Sequence, residues 1–171
     1  LTDAQILNQL KKVGLIASSQ TANLTPLDKE IYALRDVTGT VASVPLIAAS
    51  IMSKKIAGGA DKILIDIKVG KGALIATKEE AKHLSELMVR IGEFYQREVR
   101  CVISDMNTPL GYAIGNSLEV LEAIDVLKGK EYDNPFSDLC IELATDMVSM
   151  GKDISKIEAK KQVLESLNKG Y

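Results

Sequence analysis

The sequence predicts a layered α/β fold, with a largely parallel or mixed sheet flanked by helices, joined to a helical pair from a small all-α domain. Three observations predict it. Two apolar runs of strand length, Lys62 to Val69 and Val99 to Ser104, are separated by one long helical pattern. More helical patterns follow the second run, which suits strands and helices alternating in layers. Between Thr25 and Ala57, by contrast, two helical patterns follow each other with no strand between them. That divides the chain into 1–24 with 60–171, the α/β part, and 25–59, the helical pair.

From the start of the chain, Thr2 to Lys12 reads as a short amphipathic helix with Ile6, Leu7 and Leu10 on one face. Val13-Gly-Leu-Ile-Ala17 reads as a short buried strand, and the small polar residues from Ser18 to Leu24 as a linker. Thr25-Pro26-Leu27-Asp28 has the signature of a helix start. Thr25 can cap, Pro26 suits the first helical position, and Asp28 sits near the positive end of the helix dipole. Leu27, Ile31 and Leu34 then share a face. A second helix fits Pro45 to Ala57, ended by Gly58-Gly59. Its apolar residues Leu46, Ile47, Ile51, Met52 and Ile56 point nearly all round the wheel, so it expects neighbours on several sides. Left without partners, such faces favour self-association.

Ile63, Leu64 and Ile65 run consecutively before Asp66 and Lys68 alternate with Ile67 and Val69, as in a parallel strand covered on both faces. Thr77-Lys78-Glu79-Glu80 is a capping box opening a long helix whose core stripe is Ala81, Leu84, Met88, Ile91 and Tyr95. The strand Val99 to Ser104 ends in the turn-rich Asp105-Met-Asn-Thr-Pro109. Three helices then fit Tyr112 to Lys128, Phe136 to Met150 and Ile154 to Asn168.

Composition excludes several functions. The 171 residues carry 21 Lys+Arg against 23 Asp+Glu, without the basic excess of a general nucleic-acid binder. No apolar run reaches the roughly 18 residues of a membrane span, and no segment reads as a signal peptide. Cys101 and Cys140 form no C-x-x-C pair, and the single histidine, His83, has no cysteine near it, so they read as reduced packing cysteines of a cytoplasmic protein rather than a zinc site. The chain begins with Leu, which fits a processed chain or a piece of a longer one.

Few residues carry chemistry on their own. Gly70-Lys71-Gly72-Ala73 follows a strand, where phosphate loops lie, but it completes no phosphate-binding motif and reads as a turn. His83 falls off the apolar stripe beside Glu79, Glu86 and Arg90, as a solvated surface residue. Asp66, late in its strand, is either a functional group or a structural carboxylate. Ser50 and Lys54 are one helical turn apart on one face, amid apolar residues. Lys54 either snorkels to solvent or needs a partner for its charge.

Together the motifs carry more than any one of them. Tyr32-Ala-Leu-Arg-Asp-Val-Thr38, Thr40-Val, Val44-Pro-Leu-Ile47 and Ser50-Ile-Met-Ser-Lys-Lys55 closely resemble the pyrimidine-nucleoside/thymidine phosphorylases. So do Asp66-Ile-Lys-Val-Gly-Lys-Gly-Ala73, Ile103-Ser-Asp-Met106, Pro109-Leu-Gly-Tyr-Ala-Ile-Gly-Asn116, Leu118-Glu-Val, Glu122-Ala-Ile and Leu127-Lys-Gly129, with Gln20-Thr21, Pro26 and Asp28 also fitting. The resemblance covers nearly the whole chain, the last helix least.

It implies phosphorolysis of a pyrimidine nucleoside. Phosphate attacks the anomeric carbon with inversion, giving free base and pentose 1-phosphate. By resemblance the base is held by Arg35, Ser50 and Lys54, whose cationic groups would stabilise the charge the departing ring takes up. A monovalent cation, potassium, would be held by the backbone carbonyls of Leu110 and Ala113 and the carboxylate of Glu122. The family's phosphate-binding segment and its active-site histidine match nothing here, and His83 does not take that role, so no catalytic residue is assigned. Ala42, Leu74 and Gly39 depart from the family's usual Asp, Phe and Ala. The resemblance further implies a central piece of a homodimeric cytoplasmic enzyme, inactive as this chain alone, acting on uridine or thymidine with no nucleic-acid or membrane partner. The alternative is a non-catalytic ligand-binding or assembly module of the same architecture.

Overall fold

A computed structural model describes residues 2–16, 25–130 and 134–170. Over these residues the chain forms α1 (Asp3–Val13), α2 (Pro26–Thr38), α3 (Val44–Ala57), β1 (Lys62–Val69), α4 (Lys78–Phe94), β2 (Glu98–Asp105), α5 (Asn116–Leu127), α6 (Pro135–Lys152) and α7 (Lys156–Lys169). This is a layered α/β arrangement with additional helices, as the sequence predicts.

The sheet is a parallel pair in register from Lys62 opposite Glu98 to Val69 opposite Asp105, and α4 is the crossover that parallel strands require. The capping box at its start is formed. The Thr77 side chain accepts from the Glu80 N–H, and the Glu80 carboxylate accepts from the Thr77 N–H. Gly92 lets the last turn of α4 lie against β2, because a Cβ there would fall 2.2 Å from Val99 Cγ2.

The core lies on one face of β1. Ile63, Ile65, Ile67 and Val69 are buried together with Ile47, Ala48 and Met52 of α3 and Ala81, Leu84 and Met88 of α4. On the opposite face Leu64, Asp66 and Lys68 are half-buried beneath α6. The apolar residues of α3 thus find a neighbour within the chain, in the stripe of α4. Leu46 of α3 stays exposed, and further exposed apolar residues lie on α1 (Leu7, Leu10), α2 (Leu27, Leu34) and α5 (Leu118, Leu121).

α6 and α7 pack together and are tied to the sheet by two carboxylates, Asp153 to Lys62 of β1 and the buried Asp146 to β2. Asp146, 1% exposed, accepts from Arg100 of β2 at 2.7 Å and pairs with Lys156 of α7 at 2.8 Å. Burial alone would raise its pKa, but the hydrogen bonds and charges of Lys156 and Arg100 outweigh that and hold it below the usual carboxylate value.

Four expectations are corrected. Val13 to Ile16 is not a strand. Val13 is the last residue of α1, and Gly14 takes the left-handed φ of +77° that ends it, its N–H bonding the Leu10 carbonyl. Ala17 and the predicted linker, Ser18 to Leu24, lie outside the described residues, as do Gln20 and Thr21. Thr25 does not cap α2. It sits at φ +50°, which turns its hydroxyl away from the helix amides, and the buried Oγ1 has no partner among the described residues. Tyr95 does not join the core stripe, since it lies past the end of α4 with half its surface exposed. Of the cysteines only Cys101 packs against the core, where burial pushes its thiol up to about 11, while Cys140 is exposed on α6.

Candidate functional site

Two groups of the residues singled out by sequence are assembled by the fold. The first joins α2 to α3. Lys54 Nζ donates to Ser50 Oγ at 2.8 Å and to the Ser50 carbonyl at 2.9 Å, as the i, i+4 spacing allows. The partner for its charge is Asp28, at 2.5 Å, in the first turn of α2. The Lys54 side chain is 28% exposed and that of Asp28 is 13% exposed. Burial would raise the Asp28 pKa, but hydrogen bonds from Lys54 and Ser50 and the charges of Lys54 and Arg35 prevail and lower it. Asp28 is therefore ionised at neutral pH. Asp28 is read from sequence as a helix-start residue that also fits the family resemblance, but nothing local marks a partner 26 positions away.

Arg35 lies at the other end of α2 and is 4% exposed. Its Nε donates to the Thr40 carbonyl at 3.3 Å, one terminal nitrogen to the Leu46 carbonyl at 3.3 Å and the other to the Val41 carbonyl. Its guanidinium stands over the Tyr32 ring, 5.3 Å from the centroid. Arg35 thus ties the α2–α3 corner to the first turn of α3, one turn before Ser50. A guanidinium has five N–H groups, so three bonds to this corner leave donors for a further acceptor.

The second group lines a cleft of about 510 Å³ beyond the carboxyl ends of β1 and β2, the usual location of ligand sites in open α/β sheets. Lys68, Met106, Leu110, Ala113, Glu119 and Glu122 are among its walls. Glu122 of α5 reaches back to the loop before its own helix. Its two carboxylate oxygens accept from the Tyr112 N–H at 2.9 Å and the Ala113 N–H at 3.2 Å. Gly111 makes this possible, since a Cβ there would lie 2.2 Å from Glu122 Oε2. Leu110, Ala113 and Glu122 are therefore brought to one place. A carboxylate offers about four lone-pair sites, so these two amide contacts leave Glu122 acceptor capacity in the cleft.

The remaining candidates resolve differently. Asp66 accepts from Ser104 Oγ at 2.5 Å and pairs with Lys68, which also donates to Ser104 Oγ at 3.0 Å. This cluster crosses the two strands, and Lys68, which also lines the cleft, is already committed to a carboxylate. The turn at Gly70–Ala73 is occupied by its own fold. Its four amides donate to the Ile75 carbonyl, Asn107 Oδ1, the Met106 carbonyl and the Gly70 carbonyl, in chain order. It is a structural turn and no phosphate cradle. Asn107 and Ser104 carry no sequence signature for these roles.

His83 is exposed on α4, whose buried stripe is Ala81, Leu84 and Met88. His83→Ala is expected to change stability by no more than about 0.5 kcal/mol, the scale of surface substitutions. Urea denaturation checks this, and a loss above 1 kcal/mol would show a buried role for the ring.

The model of the glycosyl transferase family, a/b domain, matches residues 1–171. A pyrimidine-nucleoside phosphorylase of Geobacillus stearothermophilus is 48% identical over 169 residues, which is 99% of this chain and 39% of that protein. One of Bacillus subtilis (strain 168) is 48% identical over the same shares. One of Staphylococcus aureus (strain USA300) is 49% identical over 170 residues, 99% of this chain and 38% of that protein. The chain thus spans about 39% of the length of the curated relatives it matches.

Proposed function

The chain belongs to the glycosyl transferase family through its a/b domain, and on that premise we propose that it forms the base-recognition part of a pyrimidine-nucleoside phosphorylase. The observation that carries the reading is the Ser50–Lys54–Asp28 arrangement, in a chain 48% identical across 99% of its length to enzymes of that name. In the reaction the bond from the anomeric carbon to the ring nitrogen breaks and a bond to a phosphate oxygen forms. The electron pair goes to the departing base. A fixed ammonium near the ring carbonyls stabilises that charge as it develops. The Ser50 hydroxyl can donate to or accept from the ring edge. Arg35 holds the α2–α3 corner with three of its N–H groups and offers the others to a base carbonyl.

Glu122 and the carbonyls of Leu110 and Ala113 would hold a potassium or other monovalent cation. The cation would supply positive charge that fastens the 110–113 loop to α5. The reading carries uridine and thymidine as substrates with phosphate, a homodimeric parent enzyme and a cytoplasmic setting. No helix of the described residues is long and apolar enough to cross a membrane.

The test is Lys54→Ala in the full-length enzyme that this reading assigns. Turnover on uridine is expected to fall about 100-fold, the effect of removing one preorganised donor to developing charge. The fold should persist, because α3 is seated by Ile47, Ala48 and Met52. Wild-type kinetics in a folded variant would refute the assignment.

A further inference from the structure

We infer that Asp28 is a positioning residue of the base site, its carboxylate locking the Lys54 ammonium against the Ser50 hydroxyl so that the charge meets the pyrimidine ring from one fixed direction. The inference rests on the proposed reading of this site and gives a role to a residue whose spacing marks it as a helix start. A lysine ammonium has three N–H donors on a flexible four-carbon stem. Here three acceptors surround it, Asp28 Oδ2 at 2.5 Å, Ser50 Oγ at 2.8 Å and the Ser50 carbonyl at 2.9 Å. Two of the three belong to Lys54's own helix and move with it. Asp28 is the only one of the three on another element, so it alone ties the ammonium to something outside α3.

Asp28 is itself well held. It lies in the first turn of α2, where the helix dipole favours a carboxylate, and Pro26 pre-sets the start of that helix. The seam between α2 and α3 is polar. The Asp28–Lys54 pair holds one end and the Arg35 bond to the Leu46 carbonyl holds the other, while Leu27 and Leu34 of α2 are exposed. The ion pair therefore fixes where Lys54 stands and also how α2 sits on α3. With its three N–H groups engaged within the protein, the ammonium meets charge developing on the base as a fixed positive charge, which needs no reorganisation.

The test uses the full 171-residue chain with uridine as the probe. Two quantities are read: uridine affinity by saturation-transfer NMR, and the ¹H–¹⁵N cross-peak of the Lys54 ammonium, which is observable when the group is held by hydrogen bonds. Asp28→Asn keeps the shape and removes the charge. It is expected to abolish the cross-peak and weaken uridine binding about tenfold, because a freed lysine side chain must be ordered again on binding. Asp28→Glu, which keeps the charge and moves it, should restore part of both. Asp28→Asn with either quantity unchanged overturns the inference, as does Asp28→Glu behaving no better than Asp28→Asn in both. If Asp28→Asn fails to fold by circular dichroism, Asp28→Glu must still shift the cross-peak and change affinity severalfold, or the inference falls. A wild-type chain that shows the cross-peak but binds no uridine refutes the base-site reading instead and leaves the pair as a structural one.

Discussion

Incubated alone with uridine or thymidine and phosphate, the 171-residue chain is expected to release free base no faster than the uncatalysed reaction. Phosphorolysis needs the phosphate nucleophile held in line with the anomeric carbon. Positioning of this kind supplies roughly 7–11 kcal/mol of barrier reduction, so its loss alone slows the reaction by about 10⁵-fold or more. The groups that could seat phosphate in the cleft are engaged elsewhere. The four amides of the Gly70–Ala73 turn all donate within the protein, and Lys68 is held by Asp66 and Ser104. On the proposed reading, what the chain offers is a base site on α2 and α3. Base release followed by absorbance in the purified chain decides the matter. A rate near that of a full-length relative would mean that the turn at Gly70 opens to take phosphate. Weak uridine binding without turnover is the outcome expected on the proposed reading.

Much of this was legible in the sequence because the signals are local. β1 falls at Lys62–Val69, as the apolar run between Gly58-Gly59 and Gly70 indicates. α4 begins where Thr77 and Glu80 cap it. The pairing of Ser50 with Lys54 follows from helical spacing. Errors arose where a short apolar run is ambiguous. Val13 to Ile16 has strand composition, yet Gly14 makes it a helix end, which a glycine one residue inside the run could have signalled. The illegible part is long-range. Asp28 meets Lys54, Glu122 folds back on Tyr112 and Ala113, and Asn107 locks the turn at Lys71 only because the chain closes on itself. A carboxylate in a helix looks the same in sequence whether it faces solvent or a lysine.

Gly70→Ala is expected to destabilise the fold by about 3–4 kcal/mol, since two separate penalties of about 1–3 kcal/mol each apply. The first is conformational. Gly70 has φ +138°, a region L side chains rarely adopt. The second is steric. A Cβ would lie 2.8 Å from the amide nitrogen and Oδ1 of Asn107 and from the carbonyl carbon of Met106. Backbone at that point has little room to yield, because the Met106 N–H bonds the Val69 carbonyl at 2.7 Å and the Met106 carbonyl accepts from Gly72 at 3.0 Å. Moving 106–107 would therefore also disturb the end of the β1–β2 ladder, where Val69 stands opposite Asp105. Gly14→Ala separates the two penalties. It has φ +77° but nothing within 4 Å of its would-be Cβ, so it should lose only about 1 kcal/mol, the left-handed penalty alone. Urea denaturation of both variants gives the comparison, and in a chain of this size the Gly70 change should lower Tm by roughly 10 °C. Equal losses would show that the close approach of the turn to Asn107 relaxes freely. A much larger loss for Gly70→Ala identifies that approach as the joint fixing the loop that carries Met106 and Leu110 into the cleft beside Glu122.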